Sequence, residues 1–233
     1  MICPTLTLEL VCLWNFDMIF EKEECFFAGI PKNGTHTVFA IVKNIEDKMQ
    51  ITKRANYGRM SDEETTRDYA DKPYSFFRHG HMTIKQWINI KKRTKKYKNY
   101  TTFSIIRNPY ERAVSIFRHY CIINNRTDVN IKHFDNWLKS RASKTIYDWG
   151  TQSEFLVNEL GEINVDCLAK LESLNIGWEE YRQINSKWPA FKPGFALNSK
   201  HGINIKQFYN TYTEELVYKI YKEDFKLLGY GRL

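Results

Sequence analysis

The sequence predicts an α/β fold: a central, mostly parallel sheet flanked by helices in three layers. Two observations carry this. Short apolar runs of strand length alternate with longer segments whose apolar residues recur at helical spacing. The first two runs each end in a polar turn that leads straight into a helix pattern. These turns are Pro31-Lys32-Asn33-Gly34-Thr35-His36-Thr37 and Arg107-Asn108-Pro109-Tyr110-Glu111-Arg112-Ala113-Val114-Ser115.

The elements follow in order. Cys25 to Ile30 is short and apolar, as a buried strand should be. Val38, Phe39, Ile41, Val42, Ile45 and Met49 then mark a helix that starts near Thr35 or His36. Thr102 to Ile106 reads as a second strand, and Ala113, Val114, Ile116, Phe117, Tyr120 and Cys121 mark one face of the next helix. Val165 to Leu171 is a third strand, before a polar helix around Trp178 to Ile184. A closing helix runs from Thr213 to Leu228, with Thr211 and Glu214 as its capping box and Gly229 as its stop.

A chain of 233 residues is long enough to bury one full core. With no repeat, low-complexity tract or Gly/Ser/Pro-rich linker, residues 1–233 read as one domain, of which 1–20 form a peripheral segment. A hydrophobic content of 42% with 15% aromatics excludes a disordered chain. No stretch approaches the roughly 18 apolar residues of a membrane span. The start, MICPTLTLELVCLWNF, lacks a basic leader and a small-residue cleavage site, so the expectation is a soluble, cytoplasmic protein. The five cysteines are odd in number and widely spaced, which points to buried free thiols rather than a disulfide framework or a CxxC metal pattern.

The net charge of +8 is unevenly spread. Between Asp71 and Glu111 there is no acidic residue, while Lys72, Arg78, Lys85, Lys91, Lys92, Arg93, Lys95, Lys96, Lys98 and Arg107 are all basic. Such a field recruits anions: a nucleotide, an acidic glycan or nucleic acid. For Lys91 to Lys98 alone, a solvated lysine face accounts for the pattern equally well.

Both turns fall at the carboxyl ends of strands, where parallel sheets bind ligands. In the first, a loop feeding a helix N-terminus presents unpaired N–H groups and the positive end of the helix dipole. Gly34 lets the backbone approach an anion, Thr35 and Thr37 offer hydroxyls, and Lys32 adds a mobile charge. The loop is P-loop-like but departs from the Walker A pattern: it has one glycine, and the lysine precedes it. In the second, Arg107 offers a fork suited to phosphate, and Ser115 can donate from the same side of the helix.

Together the two segments resemble the sulfotransferases that use 3′-phosphoadenosine 5′-phosphosulfate (PAPS). IPKNGTHT is similar to their 5′-phosphosulfate loop, and RNPYERAVS to their 3′-phosphate motif. The likeness is greatest to carbohydrate sulfotransferases, especially the uronyl 2-O-sulfotransferases of heparan and dermatan sulfate. It extends to His79-Gly80-His81, since those enzymes carry a His-Gly-His between the nucleotide motifs. More loosely it covers LAKLESL, LNSKHG and the last helix. Asn33, His36 and Asn108 depart from residues frequent in the family, and the family's N-terminal membrane anchor is missing. A trimmed form of a Golgi-lumen enzyme is the alternative to a cytoplasmic one.

The resemblance implies sulfuryl transfer from PAPS to a carbohydrate hydroxyl, with PAP as product and no metal. His81 would be the base, with His79 second or orienting it. Lys32 would bridge the sulfuryl group and the leaving oxygen. Asn33, Gly34, Thr35, His36 and Thr37 would hold the 5′-phosphate, Arg107 and Ser115 the 3′-phosphate, and Ser199 and Lys200 would close a late loop on the nucleotide. The expected acceptor is an acidic glycan, with no nucleic-acid partner. Two other readings compete: a basic nucleic-acid-binding module that uses Lys91 to Lys98 with Trp87 and Tyr97, and a kinase-like P-loop enzyme. The latter is disfavoured by the lysine placement and by the lack of an acidic magnesium ligand after an apolar strand.

Overall fold

The computed structural model describes residues 18–42, 81–126, 129–143, 150–193 and 204–233. Within them the sheet has four strands in the order β1 (Ile19–Phe20), β2 (Cys25–Ala28), β3 (Thr101–Ile106) and β4 (Cys167–Lys170). β1 pairs antiparallel with β2, while β2, β3 and β4 run parallel. In register, Phe27 lies beside Phe103, and Ile105 beside Ala169.

Alternation along the strands sorts the helices onto two faces. On one face lie Cys25, Phe27, Thr101 and Phe103. Phe103 stacks on Tyr181 at 4.6 Å and meets Trp178 edge-on, so α6 (Leu174–Ile184) covers this face. Tyr181 donates to the Cys25 thiol at 2.9 Å, and its hydroxyl meets Thr101 Oγ1 at 2.6 Å. α1 (Thr35–Val42) joins this side through Phe39, which packs on Phe20, itself against Trp188. On the opposite face Phe26 stacks on Trp87 of α2 (Ile84–Arg93) at 4.5 Å. The sheet is thus enclosed on both sides, as the strand composition requires.

The remaining helices form a second apolar cluster beside the sheet. It joins α3 (Pro109–Ile123), α4 (Ile131–Ala142), α7 (Thr211–Ile220) and α8 (Lys222–Leu228) around Phe117, Phe134, Phe208 and Tyr221. A short helix, α5 (Gln152–Leu156), packs against α8 and α2 and belongs to the sheet's own core through Phe155 and Leu156.

Several expectations are corrected. The closing segment is two helices, broken at Tyr221, whose backbone leaves helical values at φ −108°, ψ 26°. Tyr221 is fully buried, accepts a hydrogen bond from Arg141, and lies under the guanidinium groups of Arg141 and Arg112. Burying it there outweighs helix continuity. The capping box at the start of α7 is Asn210 with Thr213, not Thr211 with Glu214. Gly229 does stop α8, in a left-handed conformation. The third strand covers only Cys167–Lys170, followed by a tight turn at Leu171–Ser173, and its helix starts at Leu174 rather than Trp178. The expected helix beyond Val42 lies outside the described residues. Cys25 and Cys121 are buried and Cys167 half-buried, none of them in a disulfide, while Cys3 and Cys12 lie outside the described residues.

Candidate active site

The carboxyl ends of β2 and β3 carry the two polar turns, and the fold joins them. After Ala28 the chain passes through Gly29 to Gly34 into α1; after Ile106 it passes Arg107 and Asn108 into α3. α3 starts there because Asn108 accepts from the Tyr110 N–H and Pro109 occupies the first turn.

The first loop is held under backbone strain. Lys32 sits at φ +69° and Gly34 at φ +82°. A left-handed lysine costs on the order of 1 kcal/mol, so the surrounding bonds must impose it. Two arginines grip its carbonyls: Arg112 Nε donates to Pro31 O at 3.2 Å, and Arg107 Nη1 to Lys32 O at 3.4 Å. Arg112 is fully buried and also donates to Gly150 O at 2.9 Å. The N–H groups of Gly34, Thr35 and His36 have no backbone acceptor among the described residues. Carbonyls tied back and N–H groups left open make an anion-binding concavity. A Cβ at Gly34 would also lie 2.9 Å from Leu171 Cδ1, so the leucine tip would have to shift.

Asn33 points inward, only 1% exposed. Its amide donates to Ile105 O at 2.9 Å and to Gln152 Oε1 at 2.6 Å. The same Gln152 oxygen accepts from the Arg107 N–H at 2.8 Å, and Gln152 Nε2 donates to Arg107 O at 2.8 Å. Gln152 therefore locks the first loop to the second. It is held in turn by Asp224 of α8, whose buried carboxylate accepts from the Gln152 and Ser153 N–H groups at 2.9 and 2.8 Å.

Charge collects at the mouth of this frame. Burial, and then the positive charges of Arg107 and Arg118, hold the Lys32 ammonium below the usual lysine range. His36 is shifted the same way, by packing around its ring and then by Lys32. Glu111 holds two nitrogens of Arg107 on one oxygen, at 3.1 and 3.2 Å. This leaves Arg107 with further N–H groups, since its five donors exceed the bonds it makes. Glu111, Ser115 and Arg118 follow one another at spacings of four and three along α3, so they share a side of it, and Arg107, which precedes the helix, is tied to that side by Glu111. Lys32, Arg107 and Arg118 together form a donor set for a multiply charged anion. Among the described residues, no group of three His, Cys, Asp or Glu is placed to hold a metal ion.

His81 arrives from the other side. Its Nδ1 donates to Gly29 O at 2.5 Å, at the carboxyl end of β2, and its ring meets buried Phe155 of α5 edge-on at 6.4 Å. With the proton on Nδ1, Nε2 is the basic nitrogen of the neutral ring.

Thus Lys32, Asn33 and Gly34 lie in the first turn and Arg107 in the second, Thr35, His36 and Thr37 open α1, Ser115 lies in the second turn of α3, and His81 lies beside the carboxyl end of β2. His79, Ser199 and Lys200 lie outside the described residues. Trp87 and Tyr97 are buried at 1% and 3% exposure, which corrects their assignment to a nucleic-acid contact surface. Arg112, Arg118, Gln152 and Asp224 were not foreseen. Helical register from Ser115 would have found Arg118, and the Thr151–Glu154 capping box would have found α5. Nothing local signals the Gln152 contacts.

The sulfotransferase family model matches residues 16–231 of this chain. No curated protein and no solved structure matches it.

Proposed function

Because the chain belongs to the sulfotransferase family, we propose that it moves the sulfuryl group of PAPS onto a carbohydrate hydroxyl, with His81 as base. What supports this reading is that the loops of Lys32 and Arg107 are joined through Gln152 at the carboxyl end of the parallel strands, and that His81 bonds to Gly29 O at that same end.

His81 Nε2 takes the proton of the acceptor hydroxyl as that oxygen bonds to sulfur in line with the departing oxygen. The sulfur–oxygen bond to the 5′-phosphate breaks and its electron pair stays on the phosphate, giving PAP. Lys32 stabilises the charge collecting on that oxygen, and the open N–H groups of the loop hold the rest of the 5′-phosphate. Asn33 acts from within, by fixing the loop. Arg107 and Ser115, joined by Arg118, hold the 3′-phosphate. Thr35, His36 and Thr37 line the helix start, with His36 neutral near pH 7. His79, Ser199 and Lys200 keep the roles that sequence likeness assigns them.

The test has two parts. PAP should raise the melting temperature more than ATP or single-stranded DNA at equal concentration. Mass spectrometry of an acidic-glycan panel incubated with enzyme and PAPS should show sulfate addition. A preference for ATP or DNA over PAP would overturn the reading.

A further inference from the structure

At the opposite end of the sheet, where strands β3 and β4 begin, two grooves adjoin. One, of about 500 Å³, is lined by Trp87, Lys91, Lys92, Thr102 and Asp166. The other, of about 380 Å³, is lined by Lys91, Lys92, Arg93, Lys95 and Lys98. Lys91 and Lys92 belong to both, so they form one continuous depression. The acidic residue at its edge is already engaged: Asp166 accepts from the Thr102 N–H and hydroxyl at 2.6 and 2.7 Å. Lys96, paired with Glu21, does not line the depression.

Lys91, Lys92 and Arg93 also occupy the last turn of α2, where they complement the helix dipole. That role does not extend to Lys95 and Lys98, which lie beyond the helix, or to Lys85, which lies in its first half. Lys85 and Lys92 are seven residues apart, hence on one face and about 10 Å apart along the axis. α2 begins just after His81, with a capping box at Thr83 and Gln86, and ends in the basic grooves. A line of positive charge therefore runs from the proposed base along α2 to the far end of the sheet.

We propose that this track binds an acidic glycan chain and feeds it toward His81, so that the acceptor is a polymer gripped at a second site remote from the nucleotide loops. The proposal deepens the reading above and rests on it. A polyanion without planar bases is favoured because the aromatic residues of the region are not available. Trp87, Tyr97 and Tyr100 pack on one another, and Trp87 stacks on Phe26, at ring distances of 4.5 to 6.2 Å, and all three are buried. Single-stranded nucleic acid would need such rings exposed. Charge alone is what this surface offers.

The test uses the full chain and the triple variant Lys92→Glu/Lys95→Glu/Lys98→Glu, three exposed residues. Affinity for size-defined heparin oligosaccharides is measured across salt concentrations, with single-stranded and duplex oligonucleotides as competitors. The track predicts about a tenfold or greater loss of heparin affinity in the variant and a shallower salt slope. It also predicts tighter binding of longer oligosaccharides by the wild type, and PAP affinity equal in the two proteins. Unchanged heparin affinity and slope would overturn it, as would oligonucleotides displacing heparin at equal charge. Failure of the wild type to bind PAP, with heparin binding as predicted, would instead remove the sulfotransfer reading and leave the track.

Discussion

Gln152 accepts a hydrogen bond from Asn33 Nδ2 at 2.6 Å, with both side chains buried and 119 residues apart in the chain. The same side chain holds Arg107 at its N–H and its carbonyl. One amide thus fixes the distance between the two turns proposed to grip opposite ends of a nucleotide. Gln152→Leu should therefore hurt a ligand that spans both turns more than one that touches only the first. PAP affinity should fall about tenfold, corresponding to roughly 1.4 kcal/mol. Adenosine 5′-phosphosulfate, which lacks the 3′-phosphate, should lose much less. Calorimetry showing equal losses for both ligands would make Gln152 a prop of the fold only.

Lys32 and His81 are assigned to the reacting atoms, whereas Arg107 and Arg118 are assigned to nucleotide binding. Lys32→Ala and His81→Ala should each lower kcat by about 10²-fold or more with the fold intact. Arg107→Ala and Arg118→Ala should mainly weaken PAP binding. Near-normal turnover in the first pair, or unchanged calorimetric affinity in the second, would contradict this division.

The lowered pKa of Lys32 makes stability and affinity move in opposite directions with pH. Between its depressed folded value and the ordinary 10.5, the folded chain carries fewer protons than the unfolded one. Stability of the unliganded protein should then rise with pH through that window, relative to a Lys32→Met variant. PAP affinity should fall over the same window as the ammonium is lost. Melting curves of the two proteins, with and without PAP, measure both effects; parallel pH profiles would remove Lys32 as the cause.

Close packing of α6 on β4 gives a test of the fold itself. A Cβ at Gly177 would lie 2.5 Å from Ala169 Cβ and 2.7 Å from its Cα. Backbone cannot yield as a side-chain tip does, so Gly177→Ala should cost about 1–3 kcal/mol in urea unfolding. A change within about 0.5 kcal/mol would place the helix farther from the sheet than described.

The three parallel strands, the helices that follow them and the two polar turns were legible in the sequence, because each is written within a few neighbouring residues. β1 was not, since Ile19 and Phe20 fall in the stretch read as peripheral and are too few to show a strand pattern, yet they pair with β2 and are buried. Apolar period and turn chemistry act locally, and Gly34, Asn108 and Pro109 carry their conformational meaning wherever the chain goes. The break at Tyr221 was not legible: the helical pattern runs straight through it, and only the burial of that ring against Arg141 and Arg112 interrupts it. The burial of Trp87 and Tyr97 was equally hidden, since an aromatic among lysines reads the same whether it faces solvent or a sheet. Which turns meet, and how firmly, was decided by Gln152 and Asp224, whose bonds join residues 45 to 119 positions apart. Hydrogen bonds between such distant groups leave no periodic trace along the chain, so they exist only once the sheet has brought its strand ends together.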